Sequence, residues 1–360
     1  MQTMELINNA ATLNFRKKNK KQKIVTLLTV GLIFLLLSPG NLVAQFIGAD
    51  FQYEVYKNEI ADTIPLSVLE SLPPTFSADP NSPIKYKVIL KLYFSCKHED
   101  FLSEQPITIH EHLASMQTGE VNLKLDSVST TTEYLTVACD MANEQCLKTA
   151  TYSGVIEVMN MAGGHDITWG TCCWEYSVKN LDNLTMQGLA MVLHVPFSQD
   201  QQTNSSPIFL DAPRVLTCSD KIMNINSGAR DRNGDKLTYK LIQPYTYEQV
   251  NSYGNSKHSD LFPGQQTYKP IVVGRPPFKK VVYATGFEAD KPLGKSIFSI
   301  DNNTGSVDVQ PTEAGQYLIG IGVSEYRNEI LIGEAQRVFL FEVLTGLSND
   351  ILPNNKISNN

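Results

Sequence analysis

The 360-residue chain contains no CxxC pair, no HExxH and no GxSxG, and only two tryptophans. Without CxxC there is little basis for a thiolate zinc site. Without HExxH the zinc-protease spacing is missing, and without GxSxG so is the nucleophile elbow of α/β-hydrolases. Helical periodicity is nearly absent too: "PLSVLESL" (65–72) supplies two turns at most and "TYEQVNSY" (246–253) one. No internal repeat of fixed period occurs. The one match to a phosphate-binding loop pattern, "ADKPLGKS" at 289–296, runs into "SIFSIDNNTG". That reads as a strand and a turn, where phosphate binding needs a helix N-terminus. The sequence therefore predicts no nucleotide partner and no enzyme.

What is present begins with a leader. Arg16, Lys17, Lys18, Lys20, Lys21 and Lys23 precede the 14-residue apolar run Ile24–Leu37, then "SPG" and "NLVAQ". This is the order of a secretory signal peptide, with cleavage expected near Ala44. The run is shorter than the ~20 residues of a spanning helix. An uncleaved leader would instead anchor the chain and leave it facing the periplasm. A leader of net charge +5 removed from a chain of −7 leaves −12. Such an acidic exported chain is a poor partner for nucleic acid and a fair one for divalent cations. The six cysteines (Cys96, Cys139, Cys146, Cys172, Cys173 and Cys218) allow up to three disulfides, with the pairing open.

The rest reads as strands. In "IKYKVILKLYFSC" the residues Tyr86, Val88, Leu90, Leu92 and Phe94 alternate with Lys85, Lys87 and Lys91; "LAMVLHVPF", "KLTYKLI", "FKKVVYATGF", "KSIFSI" and "RVFLFEV" follow, bounded by turn residues. The predicted class is all-β: two tandem antiparallel β-sandwich domains, at 46–200 with five of the cysteines and at 205–345. The polar stretch 198–207 lies between them, and 346–360 forms a disordered tail. Gly315-Gln316-Tyr317 before an alternating strand looks like the corner tyrosine of immunoglobulin-like sandwiches, its phenol bonding back to backbone a few residues upstream. Hairpins are expected through Asn303-Thr304-Gly305 and around Arg327-Asn328.

Three other patterns carry chemistry. His110 and His112 share a face of an extended segment, but no third ligand can be named, so a solvated strand edge is the plainer reading. Cys172 with His165 or His194 would make a thiol nucleophile, yet in an exported chain a disulfide is the simpler fate. "ARDRNGDKLTYKL" (229–241) has two readings. Asp231, Asn233 and Asp235 at i, i+2 and i+4, with Gly234 permitting a bend, offer oxygens to calcium. Asn-Gly is equally the leading two-residue hairpin turn.

"ARDRNGDKLTYKL", "FSIDNNTGSVDV" and "YLIGIGVSEY" together resemble the cadherin-like modules of bacterial surface proteins, whose Asp-rich turn before such a strand binds calcium. The resemblance implies Asp231, Asn233 and Asp235 as ligands, with Glu325 where the family often has an acid. Here Asn233 stands in place of an Asp, and Arg232 sits inside the loop. The wider set "FIGADFQYEV", "WGTCCWEY", "NSSPIF" and "VSEYRNEILI" is similar to the N-terminal region of large gliding-motility-associated surface proteins exported by the type IX route. The implied protein is exported, extracellular or on the cell surface, and structural or adhesive. Its expected partners are other surface proteins or extracellular polysaccharide. The rival class is a carbohydrate-binding module or an accessory to an envelope enzyme. Trp169 and Trp174, five apart, would face opposite sides of one strand and make a poor joint sugar platform.

Overall fold

The computed structural model describes residues 46–56, 83–134, 144–172, 174, 178–182, 187–197, 204–232, 234–246, 269–271 and 275–345. The expected leader, the segment 65–72, most of 246–253, Asn233, Cys139, Cys173 and the 346–360 tail lie outside the described residues. The described residues form seventeen strands and no helix. In chain order they are β1 Phe46–Val55, β2 Ile84–Ser95, β3 Glu104–Glu111, β4 Gln117–Tyr134, β5 Glu144–Val158, β6 His165–Cys172, β7 Leu189–Val195, β8 Ile208–Phe209 and β9 Leu216–Cys218. There follow β10 Met223–Asn226, β11 Ala229–Arg230, β12 Lys236–Leu241, β13 Lys269–Ile271, β14 Ile297–Ile300, β15 Ser306–Gln310, β16 Gly315–Arg327 and β17 Ile330–Leu344.

Ten strands run in the order β12-β16-β17-β1-β2-β5-β4-β3-β6-β13, with β7 beside β6 and β9 beside β17. One sheet thus carries strands from both sides of the polar stretch 198–207. Two smaller sheets, β10-β15-β14 and β11-β8, complete the set. Every pairing between strands is antiparallel except that of β9 with β17.

Burial follows the sequence pattern. Tyr86, Val88, Leu90, Leu92 and Phe94 of β2 are all buried, as their alternation requires. The near-continuous apolar runs of β16 and β17 have a different cause, since both faces of these strands are covered. Leu318, Val338 and Leu340 join Phe51, Leu90, Trp169 and Met191 in one cluster. Tyr317, Ile319, Ile321, Phe339 and Phe341 join Phe298, Val307 and Val309 in another.

The turns behave largely as their chemistry dictates. Tyr317 Oη donates to the Glu313 carbonyl at 3.0 Å, the upstream bond expected of a corner tyrosine. The β14–β15 hairpin closes through Gly305 at φ 72°, and the Asp301 carboxylate accepts from the Asn303 and Thr304 amides and the Thr304 hydroxyl. Three local expectations shift. The last hairpin turns on Asn328 and Glu329, both at positive φ, because Arg327 still pairs with Ile330. The run 278–287 makes only isolated bridges, Lys280 with Tyr245 and Tyr283 with Leu181. Trp169 and Trp174 do not face opposite sides. β6 ends at Cys172, and both indoles pack around Phe46 inside the core.

Cys96 and Cys146 form a disulfide between the end of β2 and β5, and Cys172 and Cys218 are each disulfide-bonded. The expected link at 198–207 is not loose where it is described. Ser206 Oγ accepts from the Tyr53 amide and donates to its carbonyl, and Ser205 Oγ accepts from the Val55 amide. These serines hydrogen-bond to the backbone of β1.

β1 and β17 are joined by a buried ion pair. Arg337 Nε and Nη2 reach Asp50 Oδ1 and Oδ2 at 2.8 and 2.6 Å, and both side chains are 1% exposed. Tyr93 Oη donates to Asp50 Oδ2, Arg337 donates to the Asp211 carbonyl, and the guanidinium lies 4.2 Å from the Phe209 ring centre. Burial opposes the Arg337 charge, but Asp50 and Tyr93 outweigh it and raise the guanidinium's pKa. Removing one partner strands the other, which costs about 3–5 kcal/mol, whereas replacing both by apolar groups of similar volume costs much less. Arg337→Met should therefore lower the unfolding free energy on that scale, and Asp50→Leu/Arg337→Met should recover most of it. Urea unfolding checks this, and a single variant within about 1 kcal/mol of the parent would refute the stranded-charge account.

Candidate metal centre

The stretch Asp231–Asp235 is not a hairpin turn. β11 before it pairs with β8 and β12 after it pairs with β16, so the segment carries the chain from a small sheet to the large one. Gly234, at φ 84° with open space where a Cβ would stand, makes the bend. Asp231 Oδ1 accepts the Asp235 amide at 2.7 Å, which closes the loop on itself. Tyr239 steadies its base, with Oη accepting from the Ala229 amide and donating to the Ala229 carbonyl.

The third acid arrives from far along the chain. Glu325 lies opposite Leu237 on β12 and Gly333 on β17, at a bulge in the β16–β17 pairing. Carboxylate oxygens of Asp231, Asp235 and Glu325 all lie within 4.8 Å of one another. Glu325 is fully buried. Gly333 forms the floor beneath it, since a Cβ there would stand 2.6 Å from Glu325 Oε2. Asn204 Nδ2 donates to that same oxygen at 2.8 Å, while Oε1 has no hydrogen-bond partner. Three of the four residues named from sequence are thus placed, and all three converge. Asn233 lies outside the described residues.

The sequence reading missed two neighbours. Arg327 forks onto Asp235, with Nε at 2.9 Å from Oδ1 and Nη2 on Oδ2, and Nη2 also reaches Asn204 Oδ1. Its period-two spacing from Glu325 along one strand was the available signal. Asn204, 121 residues from Glu325, left no signal. Arg232 turns out to point elsewhere, pairing with Glu54 at 2.6 Å.

The electrostatics follow. The hydrogen bonds from Arg327 hold the Asp235 carboxyl below its ordinary range. Glu325 moves the other way, pushed up to about 8 by burial and by Asp231 and Asp235, with the Asn204 bond opposing. A carboxyl that buried, with one oxygen unmatched and other acids beside it, can be satisfied by a proton or by a hard cation. No family model, curated protein or solved structure matches the chain. What the centre can do therefore rests on this geometry.

The other sequence candidates do not converge with it. His110 is buried, with Nε2 at 2.9 Å from Thr108 Oγ1, and His165 Nε2 lies 2.7 Å from the Met159 carbonyl. Cys172 is disulfide-bonded and offers no thiol. In the "ADKPLGKS" stretch, Ser296 leads directly into β14 and not into a helix.

The raised Glu325 has a consequence for stability. Unfolded, it loses its proton near 4.5, its ordinary value, and folded near 8. Between these the folded chain holds the extra proton, so stability falls as pH rises. In EDTA, Glu325→Gln should flatten this decline between pH 5 and 8 relative to the parent, by on the order of 2–4 kcal/mol. Parallel melting-temperature profiles for the two proteins would show that Glu325 does not keep its proton in the fold.

Proposed function

We propose that the chain is an exported, non-enzymatic β protein of the cell surface with a structural or adhesive role. Its C-terminal half is read as an immunoglobulin/cadherin-like sandwich stiffened by calcium. The convergence of Asp231, Asp235 and Glu325, with a buried Glu325 oxygen that accepts no hydrogen bond, carries the reading. The corner bond from Tyr317 to Glu313 supports the sandwich assignment. Oxygen-only side chains suit a hard cation better than a soft one. Asp231 and Glu325 would hold the ion, Asp235 would share its charge between the ion and Arg327, and Asn233 belongs to the ligand set that the resemblance implies. The bound ion supplies positive charge where carboxylates otherwise repel. The protein's own part is to tie the 231–235 loop, which joins two sheets, to the C-terminal end of β16.

A long sheet stapled by disulfides suits an envelope or extracellular role, presenting surface to other surface proteins or to polysaccharide. A polysaccharide partner would have to be bound without Trp169 and Trp174, since both are buried.

Thermal melts of the full chain in EDTA and in millimolar CaCl2 test the calcium reading, beside Asp231→Asn and Glu325→Gln. Calcium in large excess over its dissociation constant should stabilise by about 3 kcal/mol, raising the parent melting temperature by roughly 5–10 °C. Both variants should lose most of that rise. Superimposed parent curves with and without calcium would end the proposal.

A further inference from the structure

A second group of metal-ligating side chains gathers on other elements. His112 follows β3, Asp166 is the second residue of β6 and His194 lies near the end of β7. His112 Nδ1 stands 2.8 Å from Asp166 Oδ2, and His194 Nδ1 stands 2.8 Å from Asp166 Oδ1. The two rings meet edge to face with centres 4.5 Å apart. The carboxylate is sunk at 7% side-chain exposure, while His112 and His194 open to solvent at 47% and 33%. A cation could reach all three from outside.

The backbone holds this arrangement. Asp166 and His194 are directly opposed in the β6–β7 ladder, so their side chains share a face. The His112 amide donates to the Gly164 carbonyl at 3.1 Å, which anchors the turn beside β6. Gly164 approaches β7 so closely that a Cβ there would stand 2.1 Å from the Val195 carbonyl oxygen. Three separate strand ends are thereby fixed around one carboxylate before anything binds, as a ligand site requires.

We propose that His112, Asp166 and His194 form an open three-ligand site for a borderline divalent transition cation of the Zn2+ type. Two imidazoles and one carboxylate with solvent on the remaining side is the donor set and openness of such zinc sites. Bond lengths of about 2.0–2.2 Å at a tetrahedral angle put ligand atoms ~3.3 Å apart, so the 2.8 Å contacts, one to each Asp166 oxygen, would open by about half an ångström and the wider pairs, all within 4.8 Å, would close toward that spacing. In the neutral tautomer protonated at Nε2, each imidazole presents its Nδ1 lone pair to the metal, and the tautomer protonated at Nδ1 donates to Asp166 when metal is absent. Burial works against the Asp166 charge, but the bonds with His194 and His112 outweigh it, and the carboxyl stays below its ordinary range. The donor set also separates this site from the all-oxygen loop at Asp231–Asp235, since imidazole favours zinc-type ions and calcium does not compete for it.

The test titrates the full chain with ZnCl2 alone against a chromogenic chelator, in millimolar calcium so that the carboxylate loop cannot take zinc. One zinc per chain is expected. His112→Ala, His194→Ala and Asp166→Asn should each weaken it by more than about tenfold, the scale on which even outer-sphere partners matter. Near-UV circular dichroism reports whether each variant folds, and imidazole 15N spectra of the parent give a readout independent of the variants. Zinc should move the His112 and His194 Nδ1 resonances and leave those of the buried His98, His110 and His165 in place. Absence of binding, stoichiometry unchanged in His112→Ala/His194→Ala, or parent shifts confined to other histidines would overturn the proposal and leave a hydrogen-bonded His–Asp–His clasp.

Discussion

The bidentate contact between Asp50 and Arg337 is the constraint on which the rest of the structure hangs. It joins residues 287 apart in the chain, on strands that meet edge to edge at the seam between the N-terminal and C-terminal strand sets. A charge fully removed from water is tolerable only with its partner in place. A one-residue slip of β17 against β1 would turn Arg337 toward the apolar cluster formed by Phe51, Val338 and Leu340. Gly48 reinforces the same register, because a Cβ there would stand 2.3 Å from the Val338 carbonyl oxygen. The ion pair therefore acts as a register pin more than as a source of net stability.

From that register both candidate metal centres follow. Once β17 is set, β16 is set beside it, and Glu325 comes to rest over Gly333 and against the loop that leads into β12. On the other arm of the sheet, β1 sets β2, and the run through β5, β4 and β3 reaches β6, where Asp166 stands between His112 and His194. The two clusters differ in chemistry as they differ in place. One is all oxygen, contains a buried carboxyl with a raised pKa and is partly neutralised by Arg327. The other is nitrogen-rich and open to water through its two histidines. A hard ion fits the first and a borderline ion the second.

Much of the local structure could be read directly. The alternation from Tyr86 to Phe94, the Asn303-Thr304-Gly305 turn and the upstream bond of Tyr317 depend on neighbours within a few residues, and all three stand as expected. The carboxylate set was legible only in part. Asp231 and Asp235 declare themselves by spacing, and Glu325 entered through a resemblance. Asn204 contributes from 121 residues away and looked like part of a linker. The pairing of His112 and His194 through Asp166 was hidden because the three lie in separate segments and the sequence offered other partners; His110, the more obvious partner of His112, turns inward to Thr108.

The sequence by itself determined the all-β class, the buried face of β2, the bends at Gly234 and Gly305, and the acidic loop. These depend on period-two burial and on backbone angles that neighbouring residues set. Tertiary structure alone decided that β1 closes onto β17, that both tryptophans lie in one core, that Asp231–Asp235 bridges two sheets, and that two histidines share one aspartate. Each of these is a contact between segments far apart in the chain. No local preference encodes such a partner; it is chosen by which arrangement buries the most apolar surface while leaving the fewest charges and hydrogen-bonding groups unmatched.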